Sequence, residues 1–199
     1  MFERFTRDAR DVVRGAVEHA EGSGVQTVDA EHVLLALLDR EGSRASFALA
    51  AVGLGERREE VRAALVEARR RAGLSQAEAD ALAGLGIDVS EIVARVEEVH
   101  GVGAMSGDRK DKGWWAGRRS FSRGAKEVLE KALRIAVARQ DLPHARIHSR
   151  GGTPTIGDEH ILLALTVRPG VPAEVLADHG ATYEALTRVL YGGGEAKAG

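Results

Sequence analysis

Two glutamates stand in the same seven-residue phrase, Glu31-His32-Val33-Leu34-Leu35-Ala36-Leu37 and Glu159-His160-Ile161-Leu162-Leu163-Ala164-Leu165. Each opens an apolar run of helical character, which puts the acid in the first turn of a helix. A carboxylate there complements the positive helix terminus, an effect of a few tenths to about 1 kcal/mol. The same place suits a ligand that carries a guanidinium and a phosphate together, as phosphoarginine does. The guanidinium pairs with the carboxylate while the phosphate takes helix N-terminal N–H groups and a hydroxyl. The enzymatic alternative makes Glu31 and Glu159 acid/base residues of a phosphoarginine-processing pocket. No Ser/His/Asp or Cys/His constellation accompanies them, so no catalytic residue is assigned and a noncatalytic binding role is expected. His32 and His160 read as internally hydrogen-bonded histidines. His144 and His148 precede Asp158, Glu159 and His160, but no helix holds the pair at a fixed spacing, and neither metal nor cofactor is expected.

The elements that carry these acids repeat with them. Phe5-Thr6-Arg7-Asp8-Ala9-Arg10 precedes the first phrase and Phe121-Ser122-Arg123-Gly124-Ala125-Lys126 the second. Arg40-Glu41-Gly42 follows the first and Arg168-Pro169-Gly170 the second, so the chain is a duplicated unit. In the first copy Phe5, Ala9, Val12, Val13, Ala16, Val17 and Ala20 draw an apolar stripe at helical spacing, stopped by Gly22-Ser23-Gly24. Asp29 is placed to cap a second helix running to about Arg40; a third spans roughly Ala45 to Val52 and a fourth Glu56 to Arg71. The second copy repeats the plan over Ser122 to Gln140, Asp158 to Val167, Ala173 to Asp178 and Thr182 to Tyr191.

The expected organisation is therefore all-α: a first repeat over residues 1–71, an inter-repeat insertion over 72–118, a second repeat over 119–192 and a disordered tail over 193–199. Within the insertion, Ser75 to Leu85 and Ser90 to Val99 read as short amphipathic helices. Gly101 to Arg119 reads as a linker, with Trp114-Trp115 either anchoring a partner or folding back on the protein. Asp141 to Gly157 reads as a long exposed loop.

Composition narrows the class. Of 199 residues 44% are hydrophobic but only 4% aromatic, a palette of Leu, Val and Ala that suits helices. A formal charge of −2 gives no general attraction to nucleic acid or an anionic membrane. There is no cysteine, and Glu3, Asp8, Asp11, Glu18 and Glu21 make the start unlike a signal peptide, so a cytoplasmic protein is expected.

The opening Met1-Phe2-Glu3-Arg4-Phe5-Thr6, the two Glu-His phrases and the Phe-Ser-x-x-Ala-Lys start of the second copy together resemble the duplicated Clp N-terminal domain of ClpC/ClpA-type AAA+ unfoldases. The resemblance implies a pseudo-twofold helical module that receives substrates and adaptors for a Clp protease. It also implies phosphoarginine binding by Glu31 and Glu159 with help from Thr6 and Ser122. A groove for cyclic-peptide antibiotics or hydrophobic segments is implied too, lined by Phe2, Phe5 and Phe121 and rimmed by Arg10 and Lys126, although phenylalanines at helix starts also serve as core staples. A decoy that sequesters toxic Clp-targeting peptides is a further reading. Two departures matter. No Gly-x-x-x-x-Gly-Lys-Ser/Thr phosphate loop is present, so this is a stand-alone module without ATP hydrolysis. Where the family usually has threonine before the glutamate, this chain has Ala30 and Asp158, and the charge of Asp158 is expected to repel phosphate at the Glu159 site.

Overall fold

A computed structural model describes residues 3–71, 74, 76–100, 119–139 and 155–192. The expected linker with Trp114 and Trp115, most of the 141–157 loop with His144 and His148, the 193–199 tail and Phe2 lie outside the described residues.

The first unit contains α1 (Arg7–Gly22), α2 (Ala30–Asp39), α3 (Arg44–Ala51) and α4 (Arg58–Arg70); the second contains α7 (Arg123–Ala138), α8 (Asp158–Val167), α9 (Val171–Asp178) and α10 (Tyr183–Tyr191). Between them lie α5 (Gln76–Gly84) and α6 (Val89–His100), the latter packed on α4 and burying Val93. The fold is all-α, two tandem four-helix repeats with a long insertion. Helix α9 starts at Val171, earlier than the expected Ala173, because Pro172 falls in the first turn, where a missing N–H costs nothing.

Helices α2 and α8 decide the packing. Leu34, Leu37 and Leu38 of α2 and Ile161, Leu162, Leu163 and Leu165 of α8 are fully buried, and both helices are apolar nearly all round. They contact each other at the centre, with α1 against α2 and α7 against α8. The inward face of α1 is made of small residues, Ala9, Val12, Ala16 and Ala20. This lets α2 come so close that a Cβ built on Gly15 would lie 3.1 Å from the Cβ of Ala36.

The two units exchange contacts reciprocally, which is the pseudo-twofold. Short strands β1 (Thr27–Val28) and β2 (Ser120–Phe121), which the sequence patterns did not signal, pair in parallel with Val28 opposite Phe121. Phe5 bridges Ile156 in the same sense. Thus the Thr6 N–H donates to the Ile156 carbonyl at 2.9 Å, and the Ser122 N–H to the Val28 carbonyl at the same distance. Helix α4 packs on α9, and α10 on α3.

Thr6 and Ser122 also cap α1 and α7, accepting from Ala9 N at 3.2 Å and Ala125 N at 2.9 Å. Ser122 does more, because its hydroxyl donates to Asp29 Oδ1 across the units at 2.8 Å. Thr6→Ala should therefore cost about 1 kcal/mol and Ser122→Ala about 2 kcal/mol in urea unfolding. Equal losses in the two variants would show that the bond to Asp29 contributes nothing.

Candidate functional site

Both glutamates sit at the second position of their helix, as expected. The histidine after each reaches back to the helix start: His32 Nδ1 accepts the Asp29 N–H, and His160 Nδ1 the Gly157 N–H, both at 2.9 Å. A ring nitrogen that accepts leaves the imidazole neutral with its proton on Nε2, so the repeated histidines are capping-box residues. The first helix has a second cap in Asp29, whose carboxylate accepts from Ala30 N at 2.7 Å and from the Ser122 hydroxyl. In the second helix the cap position is Gly157, and Glu159 itself folds back over it. A Cβ on Gly157 would lie 1.9 Å from Glu159 Oε2, so the carboxylate needs a glycine there.

The two ends then part ways. The Glu159 side chain is only 5% exposed and carries the guanidinium of Arg44 on its Oε1 at 3.0 Å. Arg44 lies over the ring of Tyr191, 5.7 Å from its centroid, and Arg139 lies 4.3 Å from the same centroid. Burial, with the charge of Glu159 next, pushes the Tyr191 phenol up to about 12. Beside Glu159, Asp158 is buried and accepts the Ala45 N–H at 3.1 Å, with Ser43 as a second donor. The expectation that Asp158 faces a ligand and repels it is thus replaced by a structural role: Asp158 caps α3 and holds the start of that helix on α8. Desolvation raises its carboxyl above the usual range, and the neighbouring charges of Glu159 and Asp8 act in the same direction.

At the other end the Glu31 side chain keeps 19% of its surface exposed, and its Oε1 lies 3.9 Å from His32 Nε2. Counted from the N-caps Ser43 and Gly170, the residues matching Arg44 and Ala45 are Val171 and Pro172. The residue matching Asp158 is Ala30. Arg168 approaches this end. A Cβ on Gly124 would meet Arg168 Nη2 at 2.8 Å and Asp29 Oδ1 at 3.2 Å, so a larger residue there would make the guanidinium shift. Arg168 Nε also bonds Glu127 Oε2 at 3.2 Å. Ser122 is therefore at the Glu31 end and Thr6 at the Glu159 end, each supplied by the opposite unit. Arg44 and Arg168 escaped the sequence reading. The usable signal was the aligned difference between the copies: the first has Arg44 where the second has Val171, and the second has Asp158 where the first has Ala30.

Of the expected groove residues, Phe5 is in the core at 9% exposure, Phe121 is half-buried against it, and Arg10 and Lys126 are exposed. Among the described residues no three His, Asp or Glu side chains group to hold a metal ion, and no single helix is long and apolar enough to cross a membrane.

Two outcomes follow from the buried acids. Arg44→Ala leaves Glu159 and Asp158 side by side without their cation and should cost about 3–5 kcal/mol of stability. In Glu159→Gln the remaining arginine, a third exposed, turns to water and Asp158 loses a like charge, so about 1 kcal/mol is expected. A larger loss in Glu159→Gln than in Arg44→Ala would overturn this account. Between the ordinary carboxyl pKa of about 4 and the raised one in the fold lies a pH window in which Asp158 of the folded chain holds a proton the unfolded chain has released. This contribution therefore disfavours folding above that window and is recovered as pH falls through it. Asp158→Asn should compare better with wild type in thermal midpoint at about pH 7 than at about pH 4, in the ordinary carboxyl range, with the reverse order as the refuting result.

Residues 4–77 match the Clp repeat (R) N-terminal domain family. No curated protein matches the chain significantly. Among solved structures, the N-terminal domain of the caseinolytic protease associated chaperone ClpD from Arabidopsis thaliana is similar over 96% of each chain, with 21% identity and a TM-score of 0.46. Over residues 4–77 this chain is thus similar to the Clp repeat (R) N-terminal domain family, and its second four-helix unit repeats the plan of the first.

Proposed function

We propose that this chain is a noncatalytic receptor for arginine-marked proteins, which it takes through the first turn of α2, and that it modulates a Clp protease by binding such substrates or their adaptors. The observation that carries the reading lies within the molecule. At the pseudo-equivalent end a guanidinium is seated on Glu159 at 3.0 Å, so the first-turn glutamate of this fold makes the pair that an arginine-type ligand requires. At the Glu31 end that carboxylate is partly exposed, and Arg168 and the start of α7 stand nearby as partners for a phosphate. Phosphoarginine satisfies both demands. A plain arginine side chain satisfies one.

Titration with a phosphoarginine-bearing peptide tests the reading. Glu31→Ala removes a charge-assisted pair of about 1.5–3 kcal/mol, so affinity should fall by roughly tenfold to more than a hundredfold while the thermal midpoint stays nearly unchanged. The bound peptide should be recovered with its phosphate intact. Equal affinity of wild type and Glu31→Ala would refute the site, and release of phosphate would make the protein an enzyme.

A further inference from the structure

Helices α5 and α6 form a hairpin that its own ends hold in shape. Gly86, at a positive φ of 79°, stops α5, and the Ile87 N–H returns to the Leu82 carbonyl at 3.0 Å. Asp88 then opens α6, its carboxylate accepting the Ser90 N–H at 2.9 Å and the Glu91 N–H at 3.2 Å. Little of the hairpin is used in packing. Val89, Ile92, Val93, Val96 and Val99 draw one apolar stripe along α6, yet of these five only Val93 is buried, where α6 meets α4. Among the described residues, the main hydrophobic core takes no side chain from either helix.

The apolar surface left over is clustered. Ile92 and Val99 on α6, Leu85 and Ile87 in the turn before it, and Val66 on α4 are five of the seven large hydrophobic side chains exposed among the described residues. Leu85 is 77% exposed and Val99 74%, so neither is shielded by the rest of the chain. A single exposed apolar side chain is ordinary on any surface, but a concentration on one hairpin marks a place where something else binds. Charge says what kind of partner. Between Gln76 and His100 the acids outnumber arginine and lysine six to one, and that one base, Arg95, is paired with Glu91 at 2.6 Å. Over the whole chain 30 acids face 28 bases, so the acidity is local to the hairpin. A second copy of the hairpin, an anionic lipid surface and a nucleic acid would each meet like charge there. A helix with one apolar face and basic flanks meets opposite charge and lays its apolar face along the stripe.

We propose that the α5–α6 hairpin is a docking surface for a basic amphipathic helix of a partner protein. Leu85, Ile92 and Val99 are its apolar contacts, and the carboxylates around them select the charge of the partner. The surface is separate from the first turns of α2 and α8 and does not depend on the receptor reading.

The test uses the full chain and two labelled helical peptides. One is built of leucine and lysine with the leucines at three- and four-residue spacing; the other has glutamate in place of every lysine. The lysine peptide should bind and the glutamate peptide should not, and added salt should weaken the complex. Amide shifts on binding should centre on residues 82–99. Ile92→Ser/Val99→Ser should weaken binding by roughly tenfold or more without lowering the thermal midpoint, because both side chains already face water. Leu85→Ser, which lies in neither helix, should weaken it severalfold with helical content intact. Full affinity in either variant, equal binding of the two peptides, or shifts centred elsewhere overturns the proposal. A wild-type dimer in sedimentation that Ile92→Ser/Val99→Ser dissolves also overturns it, because the occupant is then a second copy of this chain.

Discussion

Helices α2 and α8 cannot show a face to water, and this constraint organises the rest of the molecule. Burying one apolar stripe takes one partner helix; burying a helix on all sides takes neighbours from both units. Each repeat supplies its first helix to its own second helix, but the strands, the caps and the third and fourth helices are shared across the pseudo-twofold. The first turns of α2 and α8, where the glutamates sit, are therefore interface positions. Whatever binds there touches residues of both units at once.

Symmetry of the backbone has not kept the chemistry symmetric. Arg40 binds Asp8 and Asp11 in one half, and Arg168 binds Glu127 in the other, so this ion-pair position survives duplication. Asp8 gives way to Gly124, however, and the space released is taken by Arg168. At the opposite end the same locus collects Asp8, Asp158 and Glu159, and among the described residues Arg44 is the cation seated on Glu159. A buried carboxylate without its cation is among the more destabilising states a core can contain, so Arg44 is tied to stability.

Much of the fold was legible because periodicity and caps were explicit. The run Asp158 to Val167 forms α8 with those bounds, and Asp29 is the cap its type advertised, whereas Thr6 and Ser122, read as ligand-binding residues, also cap α1 and α7. The two-residue strands were not legible, since two residues carry no alternation and their pairing is set by the other unit. Nor was the capping role of His32 and His160, because the reciprocal position is usually read from glutamate or glutamine. The Arg44–Glu159 pair was hidden for a different reason. Arg44 meets Glu159 only through the packing of α3 on α8, and nothing local to either residue announces it.

The contacts that join the halves are far apart along the chain: 93 residues separate Ser122 from Asp29, and 113 separate Ala45 from Asp158. The entropy of closing such a connection grows only with the logarithm of its length, about 0.6 kcal/mol for each doubling. The module is consequently almost indifferent to how much polypeptide runs between α4 and β2. The stretch that carries α5 and α6 can lengthen, shorten or acquire a new segment at little cost to the fold. The two ends of the pseudo-twofold keep their geometry throughout, because it is fixed by strand pairing and helix packing and not by the tether.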